Sequence, residues 1–486
     1  MFEVRVANGA TSDDDEEEAP VGDAVENDTD RPDRVCVVGA GPSGLALARA
    51  LLHAGIDFDV HERHTDVGGI WDQANPGSPV YDSAHFISSK KQSHYHDFWM
   101  PDDYPDYPSH HQILAYIQAF ADTYGLRSHI RFGNGVVATE RVDDGWLVTT
   151  ADGRQRRYRE LVCATGTTWA PSMPDYPGTF TGEIRHSSTY RSPAEMAGRR
   201  VLIIGAGNSG VDIACDAARS ADHAAISMRR GYHFIPKHLF GIPADHFAAS
   251  GPHMPMWITQ RVFGAMLRVM NGDLTRLGLK KPDHRIFESH PILNTQLLHH
   301  LSHGDIGARP DVARFDGTTV HFTDGTSDEF DLVLCATGYR WDIPYVDPSH
   351  FTWKGNRPDL YLNLISRDDP TLYALGFMET NGGAYKLFDE MADLIARTIG
   401  ARRVGGVASG RIDRLATDDR PDLSGGIRFV GSDRHSAYVE ITAYRRYLAK
   451  LRDELGWPTL TDGVFDHLRT DATFVGAPGS DRRVPA

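Results

Sequence analysis

The sequence predicts an α/β fold with two Rossmann-like dinucleotide-binding domains, the second inserted into the first. Three observations predict it: a G-x-G-x-x-G turn at residues 39–44, a second copy at 205–210, and two similar apolar segments that both end in Ala-Thr-Gly. Each glycine turn follows an apolar run typical of a buried strand and precedes a helical pattern. At 486 residues the chain is long enough for two such domains.

The first glycine turn follows the apolar run 34–38. Gly39 allows a tight turn, Gly41 lets the backbone approach a pyrophosphate, and Gly44 lets the next helix pack closely on the strand. Pro42 and Ser43 then begin a helix whose unpaired amides and dipole favour an anion. We expect these five residues to hold a dinucleotide, the alternative being that the glycines form only a turn.

A carboxylate follows this turn at the distance that a ribose requires. Glu62 lies 23 residues after Gly39, just beyond the second predicted strand, and Arg63 follows it. A carboxylate there accepts hydrogen bonds from a ribose diol. The first site is therefore predicted to bind FAD.

The second turn reads Gly205-Ala-Gly207-Asn208-Ser209-Gly210 and has the same strand-turn-helix context. Here, 24 residues after Gly205, the acid is replaced by Arg229, with Arg230 beside it. Guanidinium groups suit a 2′-phosphate, so the second site is predicted to bind NADPH rather than NADH. The alternative is that both arginines are ordinary solvated surface residues.

The two Ala-Thr-Gly segments place Thr165-Gly166 and Thr337-Gly338 at the ends of similar strands. Small residues there let the chain cross between nucleotide domains beside a cofactor. The segments are thus interpreted as the two hinges of an inserted domain. The predicted division is a disordered acidic tail at 1–33, an FAD-binding domain at 34–170 and 340–470, and an NADPH-binding domain at 171–339.

Charge and cysteine content exclude several functions. The net charge is −16, and residues 1–33 hold 12 acids against 2 bases, which leaves about −6 for the remainder. Nucleic acid is therefore not an expected partner. No apolar run approaches the roughly 18 residues of a membrane span, so no membrane association and a cytoplasmic location are predicted. The four cysteines include no C-x-x-C pair, which excludes flavin enzymes that reduce disulfides.

No metal site is predicted. The histidine pairs 110–111 and 299–300 lack further ligands at useful spacing, and adjacent helical side chains do not face one direction. The aromatic loop 93–99 is a candidate substrate pocket, with plain core packing as the alternative. A helical pattern at 441–455 predicts a docking helix that covers either the first domain or a second subunit, so a homo-oligomer is one expectation.

Several motifs together resemble the flavin-containing monooxygenase family over roughly residues 34–400. The segment Phe180 to Tyr190 resembles its F-x-G-x-x-x-H-x-x-x-[YF] motif, and Gly68-Gly69-Ile70-Trp71 its flavin segment. The second glycine turn with Asp212 and the later Ala-Thr-Gly-Tyr339 also match. Baeyer-Villiger monooxygenases usually end the first motif in tryptophan, so Tyr190 favours the former group. His186 within that motif is expected to brace the linker.

The resemblance implies FAD- and NADPH-dependent monooxygenation. One atom of O₂ would pass through a flavin C4a-hydroperoxide to a soft nitrogen or sulfur of a small nucleophilic substrate, with the cofactors performing the difficult chemistry. One position departs from the family, because Ile87 stands where an asparagine near the flavin is usual. An isoleucine side chain cannot donate a hydrogen bond, so either Ser88, Ser89 or His85 substitutes for the asparagine, or the enzyme handles oxygen differently. Ile87, Ser88 and Ser89 are the candidate catalytic residues of this loop.

Three other functions remain open at this stage. They are Baeyer-Villiger oxygenation of a ketone, an NADPH oxidase that releases hydrogen peroxide, and a non-catalytic NADPH sensor. Tyr190 argues against the first, and Ile87 favours the second.

Overall fold

The computed structural model describes residues 31–251, 254–431 and 437–470. The predicted acidic tail lies almost wholly outside these residues. Its last three residues do not, because the first strand begins at Arg31, before the boundary expected at residue 34.

A nine-stranded sheet forms one half of the molecule, called the first half here because it contains the N-terminal strands. Its strands are β1 (Arg31–Val38), β2 (Phe58–His61), β3 (Ile130–Arg131), β4 (Val136–Val142), β5 (Gly145–Thr150), β6 (Gln155–Cys163), β22 (Leu360–Tyr361), β23 (Ile365–Ser366) and β24 (Leu372–Ala374). The order β24-β6-β1-β2-β3 is parallel throughout, while β5 and β4 add an antiparallel edge on β6. Parallel strands with near-continuous apolar burial need helices on both faces.

A five-stranded parallel sheet forms the second half, in the order β14-β11-β10-β18-β9. Its strands are β9 (Glu183–His186), β10 (Arg200–Ile204), β11 (His223–Ser227), β14 (Gly307–Arg309) and β18 (Leu332–Cys335). Smaller sheets surround both. They contain β7 (Ala170–Pro171) with β19 (Tyr339–Arg340), β8 (Gly178–Phe180) with β15 (Val312–Gly317), β16 (Thr319–Phe322) and β17 (Ser327–Glu329), β12 (His238–Leu239) with β13 (Ile242–Pro243), β20 (Trp353–Lys354) with β21 (Arg357–Pro358), and β25 (Glu379–Thr380) with β26 (Tyr438–Val439).

The helices pack on these sheets. They are α1 (Pro42–His53), α2 (His110–Thr123), α3 (Asn208–Ser220), α4 (Ala244–Ser250), α5 (Met256–Asn271), α6 (Gln296–His303), α7 (Ala384–Val404), α8 (Val407–Asp418) and α9 (Ile441–Leu455). Helix α2 begins where Ser109 and Gln112 form a reciprocal capping box. Helices α1 and α7 pack against each other within the largest hydrophobic cluster.

The second sheet is inserted into the first. The chain leaves the first sheet after β6, builds the second sheet, and returns so that β24 pairs with β6 in the register Leu372↔Leu161. The two crossings lie side by side, because β7 and β19 pair antiparallel. This topology matches the predicted insertion.

The predicted docking helix packs against its own chain, on the α7 side of the nine-stranded sheet. Arg452 of α9 lies 2.6 Å from the Asp393 carboxylate of α7, and the Tyr444 hydroxyl donates to Leu362 O at 2.9 Å. The alternative of a second subunit is not needed to bury this helix. Among the described residues, none of the helices combines the length and the apolar character needed to cross a bilayer.

Candidate cofactor sites and active site

The first glycine turn excludes side chains at two positions. Gly39 has φ +106°, and a Cβ there would lie 2.9 Å from Ala164 O. A Cβ on Gly44 would lie 1.9 Å from Gly39 O, closer than any real contact. Gly41 is the N-cap of α1, and Pro42 is its first residue. The turn therefore brings the start of the helix against the end of β6.

The start of α1 has the chemistry of an anion site. Among the described residues, no side chain caps this helix, so its first amides have no side-chain acceptor. The loop carrying Gly69, Ile70 and Trp71 closes over the turn, since the Cβ position of Gly41 is 3.5 Å from Gly69 Cα. The Ser43 hydroxyl donates to Ala164 O at 3.3 Å. A pyrophosphate fits such a bare backbone cradle.

Glu62 lies directly beneath the turn and is 5% exposed. Its Oε2 accepts from Ala40 N at 2.7 Å, and its Oε1 accepts from His64 N at 2.8 Å. Each carboxylate oxygen keeps a second lone pair for a ribose hydroxyl. The carboxylate is thus fixed in place before any ligand binds.

Arg63 stacks on a residue that the sequence did not single out. Its guanidinium lies 4.1 Å from the centre of the Trp169 ring, and its Nη2 donates to Pro76 O at 2.9 Å. The Trp169 indole N–H donates to Thr165 O at 2.6 Å, beside Gly166 with φ +76°. This planar pair joins the ribose side of the first turn to the first hinge. An isolated Trp in a loop carried no sequence signal for it.

The second glycine turn repeats the geometry of the first. Gly205 has φ +104°, and a Cβ there would lie 2.5 Å from Ala336 O. A Cβ on Gly210 would lie 2.1 Å from Gly205 O. Gly207 is the N-cap of α3, which again has no side-chain cap among the described residues. In both turns the first glycine packs against the alanine of an Ala-Thr-Gly segment.

The remaining polar residues of this turn differ in their contacts. Asn208 Oδ1 accepts from Leu293 N at 3.3 Å, which ties the turn to the segment before α6. Ser209 is exposed on the first turn of α3.

Three cations lie at the end of β11. Arg229 is exposed, and Arg230 Nη2 donates to Ser289 Oγ at 3.2 Å. Lys280 joins them, because its Nζ donates to Arg229 O at 3.2 Å. Gly231 makes this approach possible, since a Cβ there would lie 2.4 Å from Lys280 O. Lys280 was missed from the sequence because it lies 51 residues from Arg229 along the chain.

The second hinge is held by His186 of the family-like motif. Ser188 N donates to His186 Nδ1 at 3.1 Å, so Nε2 carries the proton and donates to Gly338 O at 3.0 Å. Burial lowers the pKa of His186, which favours this neutral form. Thr337 Oγ1 donates to Ser172 O at 2.5 Å across the paired hinges. The histidine therefore contacts the hinge backbone, as expected of a brace.

Helix α3 also contacts the first half of the molecule. Tyr190, which ends the motif, is fully buried and donates to Asp216 Oδ2 at 3.0 Å. Ser83 donates to the same oxygen at 2.5 Å, and Tyr81 lies 3.4 Å from Asp212 Oδ2. Burial raises the pKa of Asp212. These contacts set the position of the second glycine turn relative to the first sheet.

The loop with Ile87, Ser88 and Ser89 lies beside the first turn. Phe86 packs edge-on against Trp71, with 5.2 Å between ring centres. Ile87 is 37% exposed and Ser88 Oγ accepts from Ser93 Oγ at 2.6 Å. Ser89 is fully buried, and its hydroxyl has no hydrogen-bond partner. A buried hydroxyl without a partner is rare in folded proteins.

A segment of the insertion forms hydrogen bonds with this loop. Asp245, in the first turn of α4, accepts from Ser89 N at 2.6 Å. His246 Nδ1 lies 3.1 Å from Gln92 Nε2, and the Tyr107 hydroxyl donates to Lys237 O. We name residues 237–246 the clasp. No local sequence pattern indicates it, because these contacts join residues that are 130 or more positions apart.

The aromatic loop 93–99 is mainly core packing. Tyr95 is fully buried and stacks on Phe120 with 4.0 Å between ring centres. Phe98 is buried as well, while Trp99 is exposed and stacks on His94. The packing alternative describes Tyr95 and Phe98, which both lie in the largest hydrophobic cluster.

Comparison with known proteins identifies the family. The sequence matches the flavin-binding monooxygenase-like family over residues 32–405. It is 31% identical over 360 residues to a probable indole-3-pyruvate monooxygenase, YUCCA9, of Arabidopsis thaliana, covering 70% of this chain and 83% of that one. It is 31% identical over 379 residues to flavin-containing monooxygenase 5 of Mus musculus, covering 72% and 70%.

Solved structures share the fold. A cyclohexanone monooxygenase structure aligns with a TM-score of 0.66 at 18% identity, covering 88% of this chain and 98% of that one. The chain belongs to the flavin-binding monooxygenase-like family and is an oxidoreductase. The predicted α/β fold with two Rossmann-type domains is confirmed, and FAD and NADPH are confirmed as the cofactors at the level of the family.

Proposed function

We propose that this enzyme transfers one atom of O₂ to a soft nitrogen or sulfur of a small molecule. The observation that carries the proposal is the pair of matching glycine turns. Each begins an uncapped helix, one with a buried carboxylate beside it and the other with three cations. When bound, FAD and NADPH supply the hydride transfer and the oxygen chemistry. The protein supplies binding, orientation and exclusion of water.

The residues divide between the two cofactors. We assign to FAD the first turn, the loop over it and the first hinge, namely Gly39, Gly41, Pro42, Ser43, Gly44, Glu62, Arg63, Gly69, Ile70, Trp71, Thr165 and Gly166. We assign to NADPH the second turn, the basic end of β11 and the second hinge, namely Gly205, Gly207, Asn208, Ser209, Gly210, Arg229, Arg230, Thr337 and Gly338. Lys280 joins the second set, because its ammonium adds a third positive charge for a 2′-phosphate.

The loop at Ile87 to Ser89 is proposed to form the wall of the oxygenation site. Ile87 presents an apolar surface, whereas Ser89 offers a buried hydroxyl that lacks a protein partner. The Asp245 carboxylate holds the Ser89 amide and so fixes where that hydroxyl points. A site that is closed and partly apolar excludes water, which is what an oxygenating enzyme requires.

Oxygenation next to a carbonyl is the second candidate. It is favoured by the 31% identical relative named for indole-3-pyruvate, a 2-oxo acid. Tyr190 does not decide between the chemistries through contact with substrate, since its hydroxyl is occupied by Asp216 inside the protein. An NADPH oxidase is the third candidate, because Ile87 removes a hydrogen-bond donor from the loop.

Product analysis separates these functions. The FAD-loaded enzyme is supplied with NADPH, oxygen and, in turn, an aryl methyl sulfide, a tertiary amine, a cyclic ketone and an aryl 2-oxo acid. A sulfoxide or N-oxide formed in proportion to NADPH supports the proposal. An ester or a decarboxylated acid supports the second candidate. Peroxide equal to NADPH with every compound refutes both. The predicted cytoplasmic location and homo-oligomer stay predictions.

A further inference from the structure

Three metal-ligating side chains from opposite ends of the chain converge beside α1. His96 Nε2 lies 3.6 Å from Asp97 Oδ2 and 3.8 Å from Asp462 Oδ1, and the three atoms all lie within 4.8 Å of one another. We propose that these three residues bind a divalent transition-metal cation, with Zn²⁺ as the best match, and that the cation fastens the C-terminal segment 460–470 to the first half of the molecule.

The histidine is prepared as a ligand. Its side chain is 6% exposed, and Nε2 is buried without a hydrogen-bond partner. Its backbone is fixed on both sides, since His96 N donates to Asp389 Oδ2 at 2.7 Å and Arg49 Nη1 donates to His96 O at 3.0 Å. A buried ring nitrogen without a partner is costly unless something binds it.

The two carboxylates supply the charge and the access. Asp97 is held in position because its Oδ2 accepts from Gly463 N at 2.9 Å. The Asp462 side chain is 97% exposed, so a cation can enter from solvent. Two carboxylates this close repel each other unless a cation lies between them. One imidazole nitrogen and two carboxylate oxygens, completed by water, are ligands that zinc accepts.

The distances suit a metal better than a proton. A protonated His96 would need one carboxylate oxygen within about 3.2 Å for a hydrogen bond, and both lie farther away. Because the third side of the triangle is at most 4.8 Å, the point equidistant from the three atoms lies no more than about 2.4 Å from each, against about 2.0 to 2.2 Å for zinc bonds to nitrogen and oxygen. Only a small adjustment is therefore needed.

The bound cation would hold the C-terminal segment 460–470 against α1. The Phe465 ring lies 3.9 Å from the Arg49 guanidinium of α1, and Arg469 Nη2 donates to Asp97 O at 2.6 Å. The segment thus covers α1, whose first turn is the proposed FAD cradle. The sequence predicted no metal because the histidine pairs 110–111 and 299–300 have no further ligands at useful spacing. In the proposed site, Asp462 is separated from His96 and Asp97 by more than 360 residues.

The test uses the full chain carrying His299→Ala and His303→Ala. That exposed pair lies one helical turn apart with ring centres 4.0 Å from each other, and would take up zinc adventitiously. After chelator treatment, titration calorimetry with ZnCl₂ is expected to show one zinc per chain. Asp462→Asn should raise the Kd at least tenfold, and the exposed neighbour Asp466→Asn should leave it unchanged. Zinc at 100 times its Kd should raise the Tm by about 3 °C.

Two outcomes would overturn the proposal. The first is loss of all zinc binding in the variant lacking the histidine pair, which would mean an adventitious ion only. The second is equal Kd values for the Asp462→Asn and Asp466→Asn chains. Because Asp462 is exposed, its substitution does not threaten folding, and the Tm without zinc verifies this.

Discussion

The clasp offers the sharpest test of the proposed oxygenation site. Asp245 accepts a hydrogen bond from the amide of Ser89 at 2.6 Å, and Ser89 is fully buried. Replacing Asp245 with alanine leaves that amide without an acceptor. We expect the loop at 87–89 to loosen and admit water, so that more of the NADPH consumed yields hydrogen peroxide.

The magnitude follows from the lost hydrogen bond. A buried amide without a partner costs about 1 to 3 kcal/mol. If the closed loop loses that much stability, the rate of NADPH oxidation without substrate should rise about 5-fold to 150-fold. Asp245→Asn keeps a carbonyl oxygen of similar shape, although without the charge, and should raise the rate less than about 5-fold.

The assay measures NADPH consumption and peroxide release in oxygenated buffer without substrate. The matched control is Asp305→Ala, which removes an exposed carboxylate of the same insertion that pairs with His300 just before β14, at the amino end of the second sheet. Flavin content and Tm are measured for each variant, so that a loss of cofactor or of folding is recognised. The expected order of peroxide release is alanine above asparagine above wild type.

One result would refute the reasoning about the loop. If Asp245→Ala retains its flavin and releases peroxide at the wild-type rate, the clasp does not shape the oxygenation site. Ser89 would then be an ordinary buried serine.

Three further predictions test the cofactor sites and the core. Gly39→Ala should lose flavin and at least about 1 to 2 kcal/mol of stability, because its Cβ would meet Ala164 O. The control is Gly55→Ala, since Gly55 also has a positive φ but no neighbour within 4 Å of its Cβ position. Equal flavin content in the two variants would contradict the prediction. Arg229→Ala should raise the KM for NADPH about 10-fold or more and leave the KM for NADH unchanged. The control is Arg314→Ala, which removes another exposed arginine. An equal rise in the KM for both cofactors would contradict a contact with the 2′-phosphate. Burial lowers the pKa of His61 to about 4, so between pH 6.5 and 4 only the unfolded chain binds this proton and stability falls as the pH falls. His61→Gln should reduce this loss of unfolding free energy between pH 6.5 and 4 by up to about 3 kcal/mol, as measured by urea titration at each pH. The same dependence of unfolding free energy on pH in the variant and the wild type would contradict the prediction.

Local patterns were sufficient for the two nucleotide units. The glycine turns, the carboxylate at residue 62 and the arginine at residue 229 are all set by spacing within one strand-turn-helix-strand unit. Such a unit has few ways to fold, because a β-carbon at Gly44 or Gly210 would collide with the turn itself. The Ala-Thr-Gly segments likewise predicted an insertion, since two similar strand ends imply two crossings.

The sequence was less informative where a residue has two ordinary roles. Tyr95 and Phe98 in an aromatic loop suit either a pocket or a core, and only their burial shows the second. The helix 441–455 was predicted, yet its partner was not. The ion pair of Arg452 with Asp393 decides that it covers its own chain.

By itself, therefore, the sequence determined the fold class, the two strand-turn-helix units with their glycine turns, and the family. Each glycine turn with its following acid or arginine depends on residues within about 30 positions of one another, where backbone geometry leaves little choice. Only the tertiary structure decided that Lys280 joins Arg229, that Trp169 stacks on Arg63, that Asp245 holds Ser89, and that His96 meets Asp462. These contacts join segments far apart in the chain. Their partners are chosen by how the packed elements meet, which no local pattern encodes.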